Sequence, residues 1–267
     1  MSQPHIALVT GAGRGIGAAI ARRLAREGVA VLVAARGHEA CAEVAAAILA
    51  SGGTAWPLEL DVGDRDSIER ATTQARELVR ERGPIDWLVN NAGIAETAPF
   101  IPRGDKGSVD LYERHLSINF HGARRMIDAL VPGMIERRYG RVVNMGSSAS
   151  LQGYPYAAAY AASKHALLGY SRSAALELAR TGVTLNVVCP HYVDSPMTDR
   201  STQRIVEKTG KTASEVRSFF AAQNAGNRLI TPEEVAEAVW TLVSEGRNGW
   251  ILEMDGAQTH AVETLEP

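Results

Sequence analysis

The sequence predicts an α/β fold: a doubly wound parallel sheet of about seven strands with helices on both faces, in a single domain. Three observations carry this. Short β-branched runs alternate with longer segments of helical periodicity almost without exception, which is the pattern of βαβ units. Runs such as Val29 to Val33 are apolar at every position, as expected for strands covered by helices on both sides. The 267 residues suffice for one large core, and nothing in the composition asks for a second domain.

Taken in order, the strand His5 to Thr10 runs into a glycine-rich turn and a helix near Ile16 to Glu27. Strand Ala30 to Ala34 precedes a helix from His38 to Ser51, and strand Ala55 to Leu60 precedes one from Arg65 to Arg82. Strand Trp87 to Asn90 leads through Ala95 to Asp110, a connection broken by Pro99, Pro102 and Gly104, into a helix from Leu111 to Arg137. Strand Arg141 to Met145 is followed by an alanine-rich helix, Ala157 to Thr181, and then by strand Thr184 to Cys189. The segment His191 to Thr231 is helical around Thr198 to Lys208 and Ala213 to Ala222; a helix from Pro232 to Ser244 and strand Trp250 to Met254 complete the pattern. The Ala95 and His191 segments both exceed the usual connection of about 2 to 6 residues. Both leave the C-terminal ends of strands, the edge where such sheets bind ligands, so residues 191–231 are expected to form a substrate loop or lid. Phe100, Met197, Phe219 and Phe220 either line an apolar pocket there or serve ordinary packing.

The formal net charge of −2, without a run of five like charges, excludes the electrostatic footprint of nucleic-acid or anionic-membrane binding. A small-molecule partner is the expectation. Two cysteines, Cys41 and Cys189, provide neither a disulfide framework nor a metal cluster and suit a reducing compartment. With no stretch approaching a membrane span, the expected location is the cytoplasm.

The turn after the first strand reads Gly11, Ala12, Gly13, Arg14, Gly15, Ile16, Gly17. Glycines let a backbone approach a pyrophosphate, and the helix that follows offers free N–H groups and the positive end of its dipole. A strand before it and a helix after it supply the context that gives such a turn meaning. Further on, Tyr160 and Lys164 stand one helical turn apart on the same face, with Tyr156 a turn earlier as a competitor. A free tyrosine with a pKa of about 10 is a poor proton relay near neutral pH, and an ammonium beside it favours the phenolate.

Together, Thr10 with the glycine turn, Asn90-Asn91-Ala92-Gly93, Ser147 and the pair Tyr160 and Lys164 resemble the short-chain dehydrogenase/reductase family across essentially the whole chain, in the family's order. The resemblance implies a Rossmann-like fold and a catalytic tetrad of Asn119, Ser147, Tyr160 and Lys164. The family's serine lies thirteen residues before its tyrosine; counting back from Tyr160 gives Ser147, whereas Tyr156 gives Val143, so the spacing selects Tyr160. By the same resemblance Ser147 polarises a carbonyl, Lys164 holds the nicotinamide ribose, and Asn119 kinks its helix around a water linking Lys164 to solvent. Gly11, Gly13, Arg14, Gly15, Ile16 and Gly17, with Asp61, Val62, Asn90, Ala92 and Gly93, are expected to hold the dinucleotide, joined by Tyr160, Lys164, Pro190, Val193 and Ser195 near the nicotinamide. Arg14 in the turn and Arg36 after the second strand, with no acidic residue at that strand's end, favour NADP(H) over NAD(H). The family's usual Pro-Gly after the sixth strand is here Pro190-His191, and His191 either reaches into the substrate pocket or points away from the chemistry.

The expected activity interconverts a ketone and a secondary alcohol, with 3-oxoacyl-thioester reductases and hydroxyacyl dehydrogenases the nearest in appearance. Arg103, Lys106, Arg200 and Arg204 are candidates to meet a thioester's phosphopantetheine arm, or are solvated loop charges. The alternatives are an NAD-dependent alcohol, polyol or hydroxysteroid dehydrogenase, a dehydration or isomerisation using bound nucleotide, and a non-catalytic NADP-binding sensor. Family analogy implies a homodimer or homotetramer.

Overall fold

A computed structural model describes residues 5–101 and 108–265. Arg103 and Lys106 therefore lie outside the described residues. The elements run β1 (Ile6–Thr10), α1 (Gly15–Arg26), β2 (Ala30–Ala35), α2 (His38–Ala50), β3 (Thr54–Glu59), α3 (Arg65–Leu78) and β4 (Trp87–Asn90). They continue with α4 (Ser108–His115), a π turn (Leu116–Gly122), α5 (Ala123–Glu136), β5 (Gly140–Met145), a 3₁₀ turn (Ser148–Ser150) and α6 (Ala158–Leu178). The last part comprises β6 (Val183–Pro190), α7 (Pro196–Thr209), α8 (Ala213–Ala222), α9 (Pro232–Glu245), β7 (Trp250–Met254) and β8 (Thr259–Thr264).

The strand order is β3-β2-β1-β4-β5-β6-β7-β8, with every pair parallel except β7 and β8. Alternate residues of one strand feed opposite cores, which is why the strands are apolar throughout. Ile6 and Leu8 of β1 join residues of α3, α5 and α6, while Ala7 and Val9 join residues of α1, α2 and α9. β1 lies between β2 and β4, so the chain winds outward in one direction from β1 and then returns to its other side. That reversal opens a crevice at the C-terminal ends of β1 and β4. The turn after β1 and the Asn91 segment after β4 both end there.

The sheet has eight strands where the sequence suggests about seven. β8 is antiparallel to β7, and only two of its six residues are even partly buried, so it carries no apolar run to announce it. The expected helix from Leu111 to Arg137 is instead two α-helices joined by the π turn. No helix among the described residues is long and apolar enough to cross a membrane.

Candidate active site

The dinucleotide turn is shaped by close backbone approach. Gly11 and Gly15 adopt φ of 65° and 56°, in the left-handed region that side chains disfavour. The Asn91 side chain donates to the carbonyls of Thr10 at 2.9 Å and Gly11 at 3.2 Å. Thr10 Oγ1 in return accepts from the backbone of Asn91 and Ala92, each at 3.0 Å. Asn91 thus stitches β1 to β4, a role its sequence neighbours conceal. The side chain of Asn90 turns the other way, donating to Asn144 Oδ1 at 2.9 Å and to Ala123 O at 3.3 Å, so it braces β4 against β5 and α5. A Cβ on Gly17 would stand 2.5 Å from Asn91 Nδ2 and closer still to Gly11 O. Gly17→Ala is therefore expected to cost on the order of 1–3 kcal/mol and to weaken dinucleotide binding, measurable by denaturant unfolding and cofactor titration.

After β3, Asp61 Oδ1 accepts from Gly63 N at 2.9 Å, and Val62 is buried against Gly122. Arg14 precedes α1, whose N-terminus has no side-chain cap, and Arg36 follows β2. Both are exposed.

Beyond β5, Ser147 caps the 3₁₀ turn: its Oγ accepts from Ala149 N, and Ser150 Oγ accepts from Ser147 N, both at 3.1 Å. These bonds fix the serine facing Tyr160, the second residue after the start of α6. Burial pushes the Tyr160 phenol up to about 12, against the opposing pull of the Ser147 hydroxyl. Lys164, one turn on, is 5% exposed and donates to Met145 O at 2.7 Å; burial lowers its ammonium to about 8. Its Nζ lies 5.9 Å from the centre of the Tyr160 ring.

This differs from the simple expectation that Lys164 pulls the phenol's pKa down. As pH rises, Lys164 loses its proton near 8, long before the phenol would ionise, so its charge is no longer there to help. At neutral pH the pair is a neutral phenol beside an ammonium. The arrangement is a proton donor with a cation ready to receive the phenolate left behind.

Asn119 lies in the π turn and is 1% exposed. Its Oδ1 accepts from Ile94 N at 2.8 Å, and its Nδ2 donates to Ile94 O at 3.0 Å and Ser163 Oγ at 2.9 Å. Ser163 in turn donates to the carbonyl of Tyr160 at 2.7 Å, so Asn119 is coupled to the tyrosine's own turn of α6. A Cβ on Gly93 would lie 3.1 Å from Asn119 Oδ1 and 3.8 Å from Lys164 Nζ, so the loop after β4 closes on the pair. The π turn is a common device at functional sites, and here it accompanies the turn of Asn119 toward Ile94.

His115 is a residue the sequence reading did not assign. It is fully buried, with its ring centre 6.1 Å from that of Tyr160. Burial lowers its pKa, and its nitrogens are committed: one donates to Leu111 O at 2.8 Å and the other accepts from Glu96 N at 3.1 Å. It is a neutral spacer behind the phenol. The available signal was its place four residues before Asn119.

His191 turns to β7, where its Nε2 meets Glu253 Oε1 at 2.7 Å. Pro190 ends β6, Val193 is buried and bridges to Ile230, and Ser195 caps α7 by accepting from Thr198 N at 3.4 Å. Tyr192 stacks on Phe220 at 4.8 Å between ring centres, and Tyr154 meets Tyr192 edge-on at 6.4 Å. Phe100 and Phe219 are exposed. Tyr156, the competitor that the serine spacing rules out, is 66% exposed with φ of 64°, and its carbonyl accepts from Ala98 N at 2.9 Å.

The sequence model of the short chain dehydrogenases matches residues 5–205. The chain belongs to the short-chain dehydrogenase family. The short-chain reductase protein NovJ of Streptomyces niveus is 37% identical over 94% of this chain and 91% of its own length. The 3-oxoacyl-[acyl-carrier-protein] reductase MabA of Mycobacterium avium is 35% identical over 93% and 88%. The crystal structure of an actinorhodin polyketide ketoreductase variant with NADPH superposes with a TM-score of 0.87 at 34% identity, covering 96% of this chain and 98% of that one. As a short-chain dehydrogenase, the protein is an oxidoreductase using a nicotinamide dinucleotide. The glycine turn fits that cofactor: two left-handed glycines remove side chains from the approach, and the uncapped start of α1 leaves backbone N–H groups for a phosphate.

Proposed function

We propose that the protein is an NADP(H)-dependent ketoreductase that interconverts a ketone and a secondary alcohol. The observation that carries this reading is the buried, protonated Tyr160 facing Ser147 with the Lys164 ammonium one turn away. When bound, the nicotinamide supplies or accepts the hydride. Ser147 donates a hydrogen bond to the carbonyl oxygen as negative charge grows on it. Tyr160 passes its phenolic proton to that oxygen, giving the alcohol and a phenolate that the Lys164 ammonium stabilises. Asn119 positions the Tyr160 turn through Ser163, and Gly93 leaves room for Lys164 to reach the ribose.

Arg14 and Arg36 support NADP(H) over NAD(H), because a guanidinium meets a 2′-phosphate and repels nothing on it. Residues 191–231, carrying α7 and α8, form the lid. The named activities of MabA and of the polyketide ketoreductase support a carbonyl on an acyl chain held as a thioester. The aromatic cluster of Tyr154, Tyr192 and Phe220 favours a second reading for the substrate, a ring-bearing ketone lying flat against aromatic faces. Assembly is through α5 and α6, where Ile135 and Leu176 are exposed.

The test is oxidation of NADPH and NADH, followed side by side with 3-oxoacyl thioesters and cyclic ketones. NADPH-dependent reduction of at least one class is expected. Cofactor binding without turnover of any carbonyl would favour the sensor, and preference for NADH would overturn the assignment of the arginines.

A further inference from the structure

The loop after β4 is pinned in turn at Ile94, Glu96 and Ala98. Asn119 takes both backbone groups of Ile94, and Ala98 N donates at 2.9 Å to the carbonyl of Tyr156, which stands four residues before Tyr160. Between these anchors, Glu96 N donates to His115 Nε2 at 3.1 Å. The Glu96 carboxylate meets Arg114 of α4 at 3.3 Å and Arg204 of α7 at 3.9 Å. His115 thus holds the middle of a strap whose ends lie at Asn119 and at the entry to α6.

The two partners of this ring allow it one protonation state. The carbonyl of Leu111 can only accept, so Nδ1 carries the proton; the amide of Glu96 can only donate, so Nε2 is bare. A second proton could enter only at Nε2, where an N–H would face the N–H of Glu96. In a fully buried ring two opposed donors cost the bond to the loop. Burial is the largest influence on the imidazole and lowers its pKa; Glu96 of the loop favours the charged ring, while Arg114 of α4 and Lys164 of α6 oppose it. Arg204 of α7 acts through Glu96, and the Tyr160 ring of α6 meets the imidazole edge-on, 6.1 Å between centres.

We propose that His115 is a positioning residue for the proton transfer: its neutral ring holds the loop after β4 against Asn119 and the start of α6, and a proton on Nε2 releases that loop and frees the turn that seats Tyr160. The proposal rests on the reading of Tyr160 as proton donor. The phenol at about 12 and the ammonium at about 8 are both protonated in acid, so neither gains a proton as pH falls below neutral. His115 does gain one, on the acid side of the ordinary imidazole value of 6.5. Turnover is therefore full above that value and is lost as pH falls through the lowered pKa of the buried ring.

The experiment records kcat and KM for carbonyl reduction from about pH 5 to about pH 8 in wild type, His115→Gln and His115→Asn, with circular dichroism following the fold and NADPH titrated on the same preparations. Glutamine places an oxygen near the Nε2 position, which accepts from Glu96 N and does not titrate; asparagine keeps a donor for Leu111 O and loses the acceptor. Wild-type kcat is expected to fall by about tenfold per pH unit at the acid end. His115→Gln should lower kcat by about threefold at neutral pH and show no acid limb, whereas His115→Asn should lose about tenfold at every pH with NADPH affinity within about twofold. An acid limb of the same midpoint in His115→Gln would overturn the proposal, as would wild-type turnover in His115→Asn. Should neither variant fold, nuclear magnetic resonance of ring-labelled histidine in the wild type decides: the His115 signal, assigned by its contact with the Tyr160 ring, must titrate at the midpoint of the activity loss, and a ring that stays neutral while turnover collapses refutes the idea. Retained turnover in Tyr160→Phe would instead refute the proton-donor reading, and that arm needs no change at His115.

Discussion

Replacing Tyr160 by Phe is expected to reduce carbonyl turnover by about 10²- to 10⁴-fold, the usual contribution of a positioned proton donor. The substitution keeps the ring, its packing and its edge-on contact with His115, and it removes only the hydroxyl that faces Ser147. Because that hydroxyl is neutral and buried, its loss leaves no uncompensated charge, and Ser147 remains held by Ala149 and Ser150. Stability should therefore hardly move, and NADPH affinity should stay within a few-fold. Steady-state rates, cofactor titration and thermal unfolding on the same preparation separate these quantities. Retained turnover with a substrate that the wild type reduces would remove Tyr160 from the mechanism.

The parts of this site that are local in sequence were legible, and the parts built by distant segments were not. Tyr160 and Lys164 follow from one helical turn, and the glycine turn from its place between a strand and a helix. The π turn around Asn119 was not readable, because Leu116 to Gly122 has ordinary helical periodicity; its bonds to Ile94 come from a loop 25 residues upstream. Asn91 was overlooked for the same reason, since its partners Thr10 and Gly11 lie some 80 residues away. β8 lacked the one signal a strand usually shows, an apolar face, because it forms the sheet edge. The direction of His191 depended on Glu253, which the pairing of β7 with β6 sets opposite Cys189, two residues before the histidine.

Lys164→Met is expected to abolish useful turnover and at the same time make the folded protein more stable at neutral pH. Burial holds the ammonium at about 8 rather than 10.5, so below pH 8 the folded state carries a charge that the unfolded chain solvates better. Integrated over that difference, the penalty is on the order of 3 kcal/mol. A methionine of similar length fills the space without the charge, although Met145 O then loses its 2.7 Å donor, which offsets about 1 kcal/mol. A net gain of about 2 kcal/mol should raise the melting temperature by several degrees. The sign can be checked with pH. The folded wild type binds fewer protons than its unfolded chain between about 8 and 10.5, so its own stability rises relative to the variant across that window. The advantage of Lys164→Met should accordingly be full below pH 8, disappear within the window and reverse by about 1 kcal/mol near 10.5, where only the lost bond to Met145 O remains. A wild type more stable than the variant at pH 7 would mean that Lys164 holds the fold together. A more stable variant that has also lost turnover would support the reading that the buried cation is kept for the phenolate formed during turnover.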